Sequence, residues 1–310
     1  MYRDFGSKNE LFHYLRDNQQ KRGKDVSQST LQAYTADIWD YLQYCKEFAS
    51  EQPTPYNREE GYLKALAMQY SYYSIIRKVQ AVRFYLHMIE AQDLFTTQAM
   101  QALLSNIKRF KDLKQKQAKT FRLAHLKATV DALDDRSLRG IRNKAILLVG
   151  FATAMRKSEL LSLRIGDIIQ HEKGLVLVLG ASKTNQFGEP SYKALFHTED
   201  RRYDPVHWLL TLVKQLPEDP MQPLFTSITK AVFAKQALSG KGLEYVIKNT
   251  LGIDYSSHSF RASFISIARQ RGLVDSSIMR QSHHVHTKSL DRYTRFDDIM
   301  EHNAAEHLGL

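Results

Sequence analysis

The second half of the chain holds, in this order, Arg156, Lys183, His258, Arg261, His284 and Tyr293. Arg156 lies in Ala154-Met155-Arg156-Lys157-Ser158-Glu159-Leu160, and Lys183 lies in Ser182-Lys183-Thr184. His258 and Arg261 frame His258-Ser259-Phe260-Arg261, and Tyr293 follows His284 by nine residues. No metal or cofactor motif lies among them. These residue types suit attack on a phosphodiester by a phenol. Planar guanidinium forks grip non-bridging phosphate oxygens in pairs. The pentavalent transition state carries extra negative charge, which fixed cations stabilise. A tyrosine nucleophile needs a neighbouring base or cation to shed its proton.

Helices and one hairpin must carry these groups. Residues 1 to 112 read as helical throughout. Leu31, Tyr34, Ile38, Tyr41, Leu42 and Cys45 recur at three- and four-residue steps behind a cap at Ser27 or Ser29. Leu63, Leu66 and Ala67 continue the pattern, as do Ile75 to Ile89 and Met100 to Ile107. Four or five amphipathic helices make a small all-α bundle. Tyr70, Tyr72 and Tyr73 beside Arg77 and Lys78 form either an exposed cluster that faces a polyanion or a half-buried helix junction. Residues 113 to 120 hold Lys114, Lys116 and Lys119 with no acid and read as a basic linker. Helical patterning returns from Leu123 to Phe151. Leu175 to Leu179 reads as a strand, Gly180 to Gly188 as turn, and Tyr192 to Phe196 as a return strand. Lys183 therefore belongs at or near a hairpin tip. From Asp204 onward the chain reads as helices around loops at Pro217 to Pro223 and Asp254 to Ser257. Arg156 and Glu159 share a helix face, so the carboxylate can hold the arginine in place. His258 and Arg261 open another helix, with Ser256 or Ser257 as its cap.

Composition bounds the class. The 310 residues fit about two domains, and 43% hydrophobic with 25% charged is globular. The net charge of +11 favours polyanions. Residues 1 to 112 contribute about +2, and the part beyond the linker about +6. No apolar stretch reaches the length of a membrane span, and Met1-Tyr2-Arg3-Asp4-Phe5 lacks the apolar core of a secretory signal. The single cysteine, Cys45, excludes an internal disulfide and fits a reducing compartment; its helix face makes it a core residue. His283, His284 and His286 have no cysteine or well-spaced carboxylate to complete a metal site, so no metal is expected.

The ordered set resembles the tyrosine recombinases, the lambda integrase family. Their pattern is a GxRxSEL-like segment, a hairpin lysine, HxxR, a glycine-histidine and a tyrosine nine residues on. Here Ala154 and His283 stand at the two glycine positions, and Gly180-Ala181-Ser182-Lys183-Thr184 resembles the lysine turn. The motifs span residues 121 to 296; residues 1 to 112 match in pattern and size only. The resemblance implies a mainly α protein: a helical DNA-binding domain over 1–112, the linker, and a mostly helical catalytic domain with a small hairpin sheet over 121–310. It implies a site-specific recombinase that cleaves and rejoins DNA through a 3′-phosphotyrosyl intermediate. By resemblance Tyr293 is the nucleophile, Arg156 and Arg261 clamp the phosphate, and His258 completes the HxxR box. Lys183 is the general acid, with Lys193 and Lys173 as further candidates for that role. His284 bonds the scissile phosphate, and Tyr255 is the rival nucleophile. Neither cofactor, metal nor ATP is implied. The implied partners are double-stranded DNA with inverted-repeat sites and three further protomers in a tetrameric synapse. No membrane partner is implied, and the place of action is the cytoplasm, on the nucleoid in a prokaryote. A type IB topoisomerase, a telomere resolvase and a DNA-binding protein without activity remain as alternatives.

Overall fold

The computed structural model describes residues 3–19, 26–48, 55–111, 117–180, 190–229, 232–287 and 290. The chain divides into two compact units, Met1–Gln115 and Lys116–Leu310. Among the described residues no helix is long and apolar enough to cross a membrane.

The first unit is built of helices α1 (Lys8–Gln19), α2 (Gln28–Phe48), α3 (Pro55–Gln69), α4 (Tyr72–Met88) and α5 (Gln98–Phe110). The apolar stripe of α2 is buried through Leu31, Ile38, Tyr41, Leu42 and Cys45, because one face at a 3.6-residue period must leave water. Ser27 Oγ accepts the Thr30 amide at 3.3 Å and starts that helix. Burial pushes the Cys45 thiol up to about 11, as suits a core cysteine. Lys78 is also buried, and its ammonium lies 3.1 Å from Asp37 and 3.0 Å from Asp40. Of the two readings of the Tyr70 to Lys78 cluster, Lys78 fits the helix junction: its charge is matched inside the bundle. Tyr70 lies under that ammonium and is half-buried, as is Tyr72, whereas Tyr73 and Arg77 are exposed. Arg77 itself reaches Asp37 at 2.5 Å.

The second unit is organised around α7 (Leu138–Thr153), which is buried along almost its whole length. Helices α6 (Leu123–Asp131), α8 (Lys157–Ser162), α9 (Pro205–Val213), α10 (Gly240–Thr250), α11 (Ser257–Gln270) and α12 (Asp275–Ser282) complete the helical set. Gly150 on α7 lets α11 approach closely: a Cβ there would lie 2.8 Å from the Phe260 ring. Strands β1 (Ile168–His171), β2 (Gly174–Leu179) and β3 (Ser191–Phe196) form an antiparallel sheet in that order, with Leu177 opposite Lys193. A second hairpin, β4 (Thr226–Thr229) and β5 (Val232–Ala237), lies where the sequence pattern read as helices and loops. Its strands are short and mostly exposed, so they show no buried alternation, although Thr226, Ile228, Thr229 and Val232 are β-branched.

Candidate active site

Helix α7 ends at Ala154 in a left-handed conformation (φ 48°, ψ 32°), and the chain turns there into α8. Arg156 is the N-cap of α8. Glu159, buried one turn on, binds it twice: Oε2 accepts the Arg156 amide at 2.8 Å and Oε1 pairs with the guanidinium at 2.6 Å. Burial would raise the Glu159 carboxyl, but bonds and charge from Arg156, with charge from Lys193, hold it below its ordinary value. Glu159 therefore stays ionised and fixes the rotamer of an arginine that remains partly open to solvent.

Arg261, on the second turn of α11, is buried to 6% exposure. One amino group donates to the Ala154 carbonyl at 3.0 Å. The left-handed turn that introduces Arg156 is thus braced by the other arginine. The second amino group lies 3.2 and 3.3 Å from the two ring nitrogens of His284. Ser282 Oγ is 2.9 Å from Nδ1 of the same ring. Burial, then the charges of Arg261, Arg156 and Lys193, push His284 down to about 4. The neutral ring has one N–H to donate and one bare nitrogen that can accept from Arg261.

Lys193 is fully buried at the middle of this group. Strand alternation puts it on the inward face of β3, the face that also buries Leu195. Its ammonium donates to the Gln281 carbonyl at the end of α12. Burial drives its pKa down to about 7; Glu159 pulls it upward, and Arg261 and Arg156 push it further down. Gln281 in turn donates through Nε2 to the Ala152 carbonyl at 2.9 Å and to the Ala194 carbonyl at 2.7 Å. His283 caps α12 in the left-handed region (φ 53°), and its Nε2 donates to the Tyr192 carbonyl at 3.1 Å. Burial and the charge of Lys193 lower the His283 pKa. Sequence spacing gave Gln281 no role, and it set Lys193 only beside Lys183.

His258 sits one turn before Arg261 at the start of α11 and is exposed. Lys173 is exposed at the β1–β2 turn. Lys119 pairs with Asp254 at 2.7 Å and covers the Tyr255 ring. Tyr255 is half-buried, its ring packed against Phe121 and His125. Lys183, Tyr293, Lys114 and Lys116 lie outside the described residues.

Residues 119–299 match the phage integrase family. The chain is 26% identical over 302 residues to an integrase/recombinase XerD homolog of Selenomonas ruminantium, covering 92% of this chain and 86% of that protein. It is 22% identical over 298 residues to the tyrosine recombinase XerC of Lactobacillus leichmannii, covering 93% and 94%. Its fold is similar to that of the XerH site-specific recombinase bound to a palindromic difH substrate, in a post-cleavage complex. That match has a TM-score of 0.64 and 16% identity, over 94% of this chain and 82% of that one. It is also similar to a lambda integrase from a tetramer bound to a Holliday junction, with a TM-score of 0.54 and 14% identity, over 91% and 77%. The match to the family covers more than half of the chain, including the arginine turn, the HxxR helix and the histidine turn just described; this chain belongs to the phage integrase family and is a tyrosine recombinase, an enzyme of DNA strand breakage and rejoining.

Proposed function

We propose that the chain recombines DNA at specific sites through a covalent tyrosyl intermediate, with Tyr293 as nucleophile. The Tyr293 oxygen attacks a backbone phosphorus, the bond to the 5′ oxygen breaks, and a 3′-phosphotyrosyl bond forms. Lys183 supplies the proton for the departing 5′ oxygen, and His258 takes the phenol's proton. Arg156, Arg261 and the ring of His284 hold the non-bridging oxygens and the charge that develops on them. One phosphoester replaces another, so a 5′ hydroxyl from the same or a partner strand can reverse the step without an outside energy source. The observation that carries this reading is the bond from Arg261 to the Ala154 carbonyl at 3.0 Å. Through it the segment that presents Arg156 and the helix that presents Arg261 act as one rigid cation site, with a neutral histidine on its edge.

The relatives named above extend the reading. A tetramer on a junction, as in the lambda integrase complex, would bring two duplexes together and exchange strands in pairs. The unit Met1–Gln115 would add phosphate contacts through its exposed basic side chains, Arg77 among them, and Lys114, Lys116 and Lys119 would add more. The enzyme would act in the cytoplasm, where the DNA lies.

The test is a nicked suicide substrate whose cleaved fragment diffuses away. Wild-type protein should accumulate a covalent protein–DNA adduct without added metal or nucleotide. Tyr293→Phe should bind the same DNA and form none. An adduct in Tyr293→Phe would move the nucleophile elsewhere, with Tyr255 the next residue to replace.

A further inference from the structure

We propose that Lys193 is a positioning residue for strand cleavage: its buried ammonium, with Gln281 as the hub, ties the turn bearing His284 to β3 and to the end of α7. The proposal rests on the phosphotyrosyl reading and adds a residue that acts through the groups touching the phosphate.

The geometry is a set of bonds among three segments distant in sequence. Lys193 on β3 donates to the Gln281 carbonyl. The Gln281 side chain donates back to β3 at Ala194 and across to Ala152 on α7. His283 adds a bond to β3 at Tyr192. Each segment leads into a site group. Ala152 lies two residues before the braced Ala154 turn, Gln281 lies three residues before His284, and β3 follows Lys183 in the chain. A shift of about 1 Å in such a frame costs on the order of a hundredfold in rate.

The charge on Lys193 matters as well as its bonds. The groups that face it are Glu159 and Arg156 of the α8 turn, Arg261 of α11, and His283 and His284 after α12. Among the described residues that face Lys193, the cations are Arg156 and Arg261 and the carboxylate is Glu159. A bound phosphodiester adds negative charge beside these arginines. Without DNA the buried ammonium gives up its proton near neutrality; a phosphate beside the arginines favours the protonated form. The free enzyme should therefore take up a proton as it binds the scissile phosphate.

The experiment measures adduct formation in single turnovers on the suicide substrate between pH 5.5 and 9, with DNA affinity and thermal melting recorded on the full-length chain. In wild type, the rate at limiting DNA should fall as pH rises through about 7, because the ammonium form is the working one. The fall should move to higher pH at saturating DNA. Lys193→Met should melt cooperatively, bind DNA within about threefold of wild type, and cleave at least about tenfold more slowly, with the limb near pH 7 gone. Lys193→Arg keeps the charge at every pH and should recover most of the rate with a flat profile. A wild-type rate and profile in Lys193→Met would overturn the proposal. Should Lys193→Met not fold, the wild-type profile decides alone: no limb between pH 6 and 9 that shifts with DNA also overturns it. Failure of the phosphotyrosyl reading looks different, since it shows as no Tyr293-dependent adduct in the wild-type protein.

Discussion

Lys78 and Lys193 are both buried, one in each unit, and their surroundings are opposite in sign. Lys78 meets two carboxylates, Asp37 and Asp40, at about hydrogen-bond distance. Burial would lower its pKa, but those bonds and charges outweigh burial and raise it. Lys193 meets a backbone carbonyl and shares Glu159 with Arg156, while a second arginine stands close by. Burial wins there, and the pKa falls to about 7. A buried cation that is fully matched is part of the architecture. A buried cation in a group with too little acid is a place prepared for an anion from outside. The contrast separates scaffold from site without reference to any motif.

The sharpest way to break this comparison is to make the same substitution in both places. Lys78→Met takes one of two cations from buried Asp37, leaving it, among the described residues, its bond to the exposed Arg77, and should cost about 2 kcal/mol or more of unfolding free energy. Lys193→Met removes one cation from a surplus and loses one hydrogen bond to a carbonyl, so it should cost less than about 1.5 kcal/mol. Chemical denaturation of the two variants measures both. Equal costs would mean that Lys193 is scaffold too.

A second measurement uses pH and has opposite signs for the two lysines. The folded Lys78 pKa lies above its unfolded value of 10.5, so its contribution is complete below that value and is lost as pH climbs through the folded pKa. For Lys193 the folded value of about 7 lies below the unfolded 10.5. Between those two values the unfolded chain binds more protons, so this term makes folding more favourable as pH rises. Wild-type stability relative to Lys193→Met should therefore grow from pH 7 toward pH 10. Relative to Lys78→Met it should stay level over the same range. A difference that shrinks with pH in the Lys193 pair would contradict the burial argument.

What the sequence made legible follows the same division. Arg156, Arg261 and His284 stand out because phosphate chemistry demands those residue types in a recognisable order, and the helices that hold them show a clear 3.6-residue period. Lys193 does not stand out by type, since lysines are common. The signal that could have found it is its place on the same strand face as Leu195, in Tyr192-Lys193-Ala194-Leu195-Phe196. Gln281 carries no signal at all: an amide has no titration and no charge, and its three partners lie far away in sequence. Lys78 looked like half of a basic pair with Arg77 because its carboxylates lie on another helix, about forty residues earlier. Local pattern reads elements and reaction chemistry. It does not read which charges meet after folding.

The smallest expected effect concerns the two left-handed turns beside the site. Ala154 and His283 have φ of 48° and 53°, in the region where a Cβ crowds the following carbonyl. They stand at the positions where the family pattern has glycine, so the backbone keeps the glycine conformation and carries the strain. Ala154→Gly relieves up to about 1 kcal/mol of that strain, and the added freedom of the unfolded chain cancels part of the gain. A net stabilisation of a few tenths of a kcal/mol is expected, about 1 °C in melting temperature for a unit of this size. His283 differs because its ring donates to the Tyr192 carbonyl. His283→Gly removes both the strain and that bond and should leave stability nearly unchanged. His283→Ala removes the bond and keeps the strain, so it should be the worse of the two by about 1 kcal/mol. Melting curves of the three variants rank them. If His283→Ala matched or exceeded His283→Gly, the left-handed turn would carry no strain worth relieving, and the histidine's place there would need another cause.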